Sequence, residues 1–227
     1  MSTTRGLFLT FEGTEGSGKS TQLRLLAARL REEGFDVLET AEPGGTAIGK
    51  QIRRILLDSA NQELSATAEL LLMFACRAQN VDEWILPALA EGRIVLSDRF
   101  TDSTLAFQGA ARGLGSEMVL EVDRIACRGL VPDLTLCVDI DLEIGLARAR
   151  ARNRKQPGVE TRIDEHPAEF HRKVREAYLQ LAQDEPRRVH LIEGDNSPEA
   201  VAAAIWREVE PLVTAGAAGL RGSSRRS

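Results

Sequence analysis

An α/β fold with a mainly parallel sheet is predicted by short apolar runs that alternate with longer helical patterns along the chain. A glycine loop lodged between the first apolar run and the first helical pattern supports it, as does a charged pair closing a later apolar run. The first strand is predicted at Leu7–Phe11, and the helix after the glycine loop spans about 19–33, stopping at Gly34. Phe35–Glu39 reads as a short strand running into Glu42-Pro-Gly-Gly-Thr46, where proline and two glycines exclude regular structure. A helix near 47–57 follows, then a long helical pattern over about 65–91 that Pro87 kinks or divides. Arg93–Ser97 is a buried-type strand with Asp98 and Arg99 at its carboxyl end. Helix 117–128, strand Leu134–Val138, helix 142–152, helix 167–183, strand Val189–Ile192 and helix Pro198–Val213 complete the pattern. The expected architecture is doubly wound: five parallel strands with helices on both faces. It forms a single domain over 1–213 with a mobile segment at 150–165. A Gly/Ala/Ser-rich tail with three arginines, 214–227, is expected to be disordered.

Composition narrows the function. The chain has 227 residues, enough for one well-buried core, and its 29 basic against 34 acidic residues leave a net charge of −5. That balance argues against a broad nucleic-acid footprint and favours small-molecule chemistry. Cys76, Cys127 and Cys137 form no CxxC pair, which excludes a zinc site or a disulfide framework and suits reduced thiols. The opening MSTTRG lacks signal-peptide character, and no apolar run approaches membrane-spanning length, so a cytoplasmic protein without membrane or nucleic-acid partners is expected.

Gly13-Thr-Glu-Gly-Ser-Gly-Lys-Ser20 has the GxxxxGK[ST] spacing of a phosphate-binding loop, in the strand–loop–helix setting that loop needs. Glycines let several backbone N–H groups turn inward on an anion, and the helix start adds its positive dipole end. Residues Gly13, Thr14, Glu15, Gly16, Ser17, Gly18, Lys19, Ser20 and Thr21 are therefore assigned to nucleotide binding. Lys19 is placed at the β- and γ-phosphates, and the Ser20 hydroxyl at Mg²⁺. Four further clusters carry chemistry. Arg53, seven residues after the Glu42–Thr46 loop, can aim at a substrate anion. Met73 and Phe74 lie four and three residues before Arg77, so either can share its helix face and flank a flat base. Asp98 can hold the metal or its waters, and Arg99 the acceptor phosphate, ahead of Ser103, Thr104, Phe107, Gln108 and Arg112. Arg148, Arg150, Arg152, Arg154 and Lys155, with Arg162, form a basic lid candidate in which Arg148 and Arg152 share one face and Arg150 and Arg154 another. His166, His171 and His190 read as structural or solvated.

So many cations with no obvious general base suggest transfer between two anions. An acceptor that is already a phosphate is ionised near neutrality and needs charge neutralisation rather than deprotonation. A kinase for another nucleotide or nucleoside, or an ATP-binding regulatory protein without transfer, are the alternatives.

FEGTEGSGKST, EPGGT with Ile52-Arg53, LLMFACRAQ, SDRFTDSTLAFQGAARGL, PDLTLCVDID and the basic lid together resemble the bacterial thymidylate kinase family over about Leu7–Val213. The resemblance implies the nucleoside-monophosphate-kinase fold, the reaction MgATP + dTMP → ADP + dTDP, and a homodimer built through long helices. It also implies Arg99 on the dTMP phosphate, Asp98 at magnesium, and Glu15 near the acceptor's 3′-hydroxyl or the metal. Phe74 is implied to stack on thymine and Arg77 to bond its O4, although the family's stacking position often falls where this chain has Met73. Ser103 and Thr104 fall near the base edge, Gln108 near the nucleotide pocket, and Phe107 where a ring crowds the 2′ position. Because Gly16 stands where other members carry a basic loop residue, the lid has to supply the catalytic charge, and Arg154 is its assigned catalytic arginine. Thr161-Arg162-Ile163-Asp164 departs from the family's Asp-Arg-Ile-Glu, and Phe100 replaces its commoner Tyr or His.

Overall fold

The structure, a computed structural model, describes residues 5–155 and 161–220. Its five strands form one sheet in the order β2-β3-β1-β4-β5, with every adjacent pair parallel. They are β1 (Phe8–Glu12), β2 (Val37–Ala41), β3 (Ile94–Asp98), β4 (Leu134–Asp139) and β5 (Val189–Glu193). All five coincide with expected strands to within one or two residues at each end.

Strand β1 sits at the centre because it is buried along its whole length. Its side chains alternate, and the two faces carry different chemistry. Leu9 and Phe11 join the core formed with α1 (Lys19–Glu32) and α9 (Pro198–Leu220), where Leu23, Leu26, Ile205 and Val209 are buried. Phe8 faces the opposite core with Leu70, Phe74, Val95 and Phe100. Thr10 bonds Thr135 across to β4 at 2.8 Å, and Glu12 ends the same face. The order of connections reverses at β1, so the carboxyl ends of β1, β3 and β4 open on the crevice where open α/β sheets bind ligands.

The long helical pattern is real but subdivided. Helix α3 (Ala66–Asn80) passes into a π-helical turn, Val81–Ile85, before α4 (Leu86–Ala90). The widened turn stands just ahead of Pro87, where a regular helix would drive the ring into the carbonyl four residues back. A second helical stretch has no counterpart in the sequence reading: α5 (Thr101–Thr104) and a π-helical segment, Leu105–Ala111. Its Ser/Thr-rich start and its change from α to π winding hide it from a periodicity search.

Helices α2 (Ala47–Leu57), α6 (Ser116–Ala126), α7 (Leu142–Lys155) and α8 (Ala168–Asp184) complete the layers. Two boundaries move. The expected lid splits into the end of α7 and a turn at 161–165, while 156–160 lies outside the described residues. Helix α9 continues past Val213 to Leu220, so the expected disordered tail does not begin at 214.

Candidate active site

One cleft of about 820 Å³ opens at the carboxyl ends of β1 and β3, and its lining draws on the glycine loop, the Glu42–Pro43 loop, α3, the segment after β3, and α7. The glycine-loop side of the cleft is built from contiguous chain. Gly13, Gly16 and Gly18 all adopt positive φ, and the left-handed Gly18 caps α1. A Cβ on Gly16 would stand 2.1 Å from the Gly145 carbonyl oxygen, and one on Gly145 would stand 2.7 Å from that of Glu15. The loop and α7 therefore meet backbone to backbone, and neither glycine tolerates a side chain. The Lys19 ammonium is buried and donates to the Thr14 carbonyl at 2.7 Å. Burial and the neighbouring Arg99 lower its pKa against the pull of Glu15 and Asp98.

Ser20 donates its hydroxyl to the Asp98 carboxylate, which brings the two expected metal-site residues together. Among the described residues there is no cluster of three or more His, Cys, Asp or Glu able to hold a metal alone. Mg²⁺ fits that pair, because it commonly takes one or two protein oxygens and fills its sphere with water and substrate phosphate.

Arg99 stands at the junction. Its backbone is left-handed (φ 76°), unusual for a non-glycine residue. Bonds from its N–H to the Phe11 carbonyl (2.9 Å) and from the Ser97 hydroxyl to its own carbonyl (2.7 Å) hold it there. Its guanidinium bonds Glu15 at 2.5 Å, Ser103 at 2.9 Å and Tyr178 at 3.1 Å, and lies 4.8 Å from the centre of the Phe107 ring. Burial pushes the Glu15 carboxyl up, but Arg99, then Lys19 and Arg152, overcome it and hold the pKa at about 2. Beneath Arg99 lies buried Glu12, which accepts from Ser103 (2.5 Å), Tyr178 (2.9 Å) and the Phe100 N–H (2.7 Å). Burial and then Asp102 push the Glu12 pKa up to about 7.

On the opposite side of the cleft the cluster on α3 divides. Met73 lines the cleft, whereas Phe74 is 2% exposed and belongs to the core. Arg77 is also fully buried, stacked between Phe74 and Phe100 at 4.8 and 5.0 Å from their ring centres. It donates to the Glu42 carboxylate at 2.5 Å and the Phe100 carbonyl at 2.9 Å, while its Nη1 has no partner. The expectation that Phe74 and Arg77 line the base pocket is thus not met by this geometry. Three-residue spacing puts Phe74 directly over Arg77, and the pair turns inward to pin the Glu42 loop, with Asn80 bonding the other Glu42 oxygen at 2.9 Å. Gln79 bonds Glu83 on the surface. Thr104 is fully buried and likewise absent from the lining, whereas Ser103, Phe107, Gln108 and Arg53 are present in it. Arg53 donates to the Pro43 carbonyl at 2.7 Å.

The lid helix sorts its arginines by face. Gly145 faces the glycine loop, so Arg148 and Arg152, three and seven residues on, line the cleft. Arg154, the arginine assigned to catalysis from sequence, and Arg150 do not line it; they lie on the other face, as the four-residue spacing requires. Arg152 bonds Asp164 at 2.9 Å and approaches Glu15 at 4.0 Å.

Two charged lining residues, Arg24 and Glu69, escaped the sequence reading. Arg24 follows Ser20 by one helical turn and bonds its carbonyl at 3.0 Å, a position only the loop-to-helix geometry reveals. Glu69, 1% exposed, looks in sequence like any acid near a helix N-terminus. His166 lies 2.9 Å from the Arg112 guanidinium through its Nε2 and stacks on Phe170. Since a guanidinium can only donate, its Nε2 is the acceptor there, and burial, then Arg112, lowers its pKa to about 4. His171 is also lowered by burial, so both rings are neutral at pH 7.

A cleft in which one lysine and arginines from several elements converge can bring two polyanions together. Fold and cleft place the chain among the P-loop phosphotransferases of the nucleoside-monophosphate-kinase type. The thymidylate kinase family model matches residues 11–205. The chain is 50% identical over 205 residues to the thymidylate kinase of Pelobacter propionicus, covering 90% of this chain and 94% of that one. With the thymidylate kinase of Halothermothrix orenii it shares 49% identity over 206 residues, 91% and 97% of the two chains. The crystal structure of thymidylate kinase from Ehrlichia chaffeensis superposes with a TM-score of 0.72 at 30% identity, over 91% of this chain and 99% of that one. The chain belongs to the thymidylate kinase family.

Proposed function

We propose that this protein phosphorylates dTMP to dTDP with MgATP as donor. The observation that carries the reading is Arg99, held between the glycine loop and the acceptor side by Glu15, Ser103 and Tyr178, with Phe107 against its face.

In this reading the loop amides of Gly13–Ser20 and Lys19 bind the donor phosphates, and Lys19 exchanges its bond to the Thr14 carbonyl for a phosphate oxygen. Ser20 and Asp98 hold Mg²⁺, which when bound neutralises phosphate charge. Arg99 holds the acceptor phosphate, with Glu15 fixing its guanidinium. Arg53 adds charge beside the Pro43 loop. Met73 takes the base-facing position on α3, and Phe107 closes the sugar side. Arg148 and Arg152 cover the transferred group and stabilise its developing charge without any proton transfer. The acceptor phosphate is already ionised at neutral pH, which agrees with the lining carboxylates among the described residues, Glu15, Glu42, Glu69, Asp98 and Asp164, all being bonded to an arginine or a hydroxyl. The kinase domain runs from the first strand to α9, with the lid within about 150–165.

No described helix is long and apolar enough to cross a membrane; a cytoplasmic setting is proposed from the reaction class. A homodimer is proposed through α3 and α6, where Leu71 is 53% and Ile125 79% exposed.

A phosphoryl-transfer assay with ATP against dTMP, dUMP, UMP, CMP and AMP tests the assignment. The expected outcome is dTMP as the acceptor with the highest kcat/KM; a better acceptor among the others would overturn it.

A further inference from the structure

Glu69 takes no part in the scheme above, yet it is the most heavily bonded carboxylate bordering the cleft. One of its oxygens accepts from Gln108 Nε2 at 2.8 Å and from Arg112 Nε at 3.1 Å. The other accepts from Arg112 Nη2 at 2.8 Å and from Arg162 Nη2 at 2.5 Å. Burial raises its pKa, but the Arg112 and Gln108 bonds and the Arg112 charge outweigh that and lower it, so the group is an acceptor at every physiological pH.

That fact settles the orientation of a neighbouring amide. A carboxylate accepts only, so the Gln108 atom bonded to Glu69 must be the NH₂ end. The opposite end, Oε1, is then an acceptor; it is buried, has no partner, and belongs to a side chain that lines the cleft. An unpartnered buried acceptor in a base pocket calls for a donor from the ligand. Thymine offers N3–H; cytosine offers a lone pair at N3.

We propose that Glu69 is a positioning residue that locks the Gln108 amide with its oxygen toward the base, so that the pocket accepts pyrimidines carrying N3–H and rejects cytosine. The inference rests on reading the cleft as a dTMP site.

Glu69→Gln tests it with a definite direction. The replacement side chain has one oxygen and one NH₂. Two guanidinium groups donate to the position shared by Arg112 and Arg162, and only one donates to the position shared with Gln108. The oxygen of the new residue therefore stays with the arginine pair, and its NH₂ faces Gln108. The Gln108 amide then turns over and presents N–H to the cleft, a pattern that suits cytosine. The expected result is a fall of about 10–100-fold in the ratio of kcat/KM for dTMP over dCMP. Loosened anchoring of Arg112 and Arg162 lowers both substrates alike and leaves the ratio alone. A parallel loss with an unchanged ratio overturns the proposal.

Native enzyme gives a second readout that needs no variant. Binding of 5-fluoro-dUMP, whose N3–H ionises at lower pH than that of dUMP, should weaken about tenfold per pH unit above that ionisation while dUMP binding stays level. Flat or tightening binding shows that no acceptor reads N3–H and overturns the proposal. If dTMP is no substrate of the native enzyme, the dTMP reading itself fails, an outcome distinct from both of these.

Discussion

The proposed donor and acceptor sides of the cleft are built on different principles. On the donor side, eight consecutive residues bend through three positive-φ glycines and present backbone to the cleft, so almost every residue there has one job. On the proposed acceptor side, side chains arrive from α2, α3, the segment after β3, and α7, and three of the eight expected to meet a substrate, Phe74, Arg77 and Thr104, are buried outside the lining. Arg77 holds Glu42, Phe74 carries Arg77, Ser103 ties Arg99 to Glu12, and Glu69 holds two arginines and a glutamine. A backbone-built site is local and rigid; a side-chain-built site needs a buried polar framework of its own.

The largest effect that would separate ligand contact from support is at Arg77. Arg77→Ala leaves the Glu42 carboxylate buried without its ion-pair partner and should lower unfolding stability by about 3–5 kcal/mol, measured by urea denaturation. A variant of native stability that has lost only dTMP affinity would return Arg77 to the base pocket. Arg99→Ala should instead leave the fold standing and slow turnover about 10²–10³-fold, about 3–4 kcal/mol in the barrier. Near-native turnover would remove Arg99 from the acceptor phosphate.

A smaller effect links the two sides through pH. Glu15 has a folded-state pKa of about 2 against 4.5 for an unperturbed glutamate. Its depressed pKa contributes about 3 kcal/mol of stability that is present above about 4.5 and is lost as pH falls toward 2. Glu12 acts with the opposite sign. With its pKa raised to about 7, its protonated form is favoured by folding, and the associated stability is lost as pH rises from about 4.5 to 7. Glu15→Gln should therefore flatten the acid limb of a stability–pH curve and leave the decline toward neutrality in place. An unchanged acid limb would show that Arg99 and Glu15 are not coupled.

The same contrast explains what was legible in the sequence. All five strands and the donor loop could be read because each is a contiguous pattern: apolar runs for the parallel strands, GxxxxGK[ST] for the loop. The Thr101–Ala111 helical segment could not be read, since its start is polar and its second half winds with a π turn that shifts the side-chain period. Residue type and spacing placed Met73, Phe74 and Arg77 together, but could not say which of them turns toward the sheet; Val95 and Phe100 of the core decide that. Glu69 was invisible because its partners lie at 108, 112 and 162. Gly16 was informative for more than its missing charge. Its close approach to Gly145 sets the rotation of α7, and that rotation selects which lid arginines reach the cleft.

That selection is the central claim, and one pair of rates tests it. Single-turnover phosphorylation of dTMP, with ATP and enzyme in excess, should slow about 10²-fold or more for Arg152→Ala, which removes charge from the cleft-facing row. For Arg154→Ala, about 200° around α7 from Arg152 and outside the cleft lining, the rate should stay within about twofold of native. Equal losses, or a larger loss at Arg154, would contradict the docking of α7 on the glycine loop as the source of the catalytic charge.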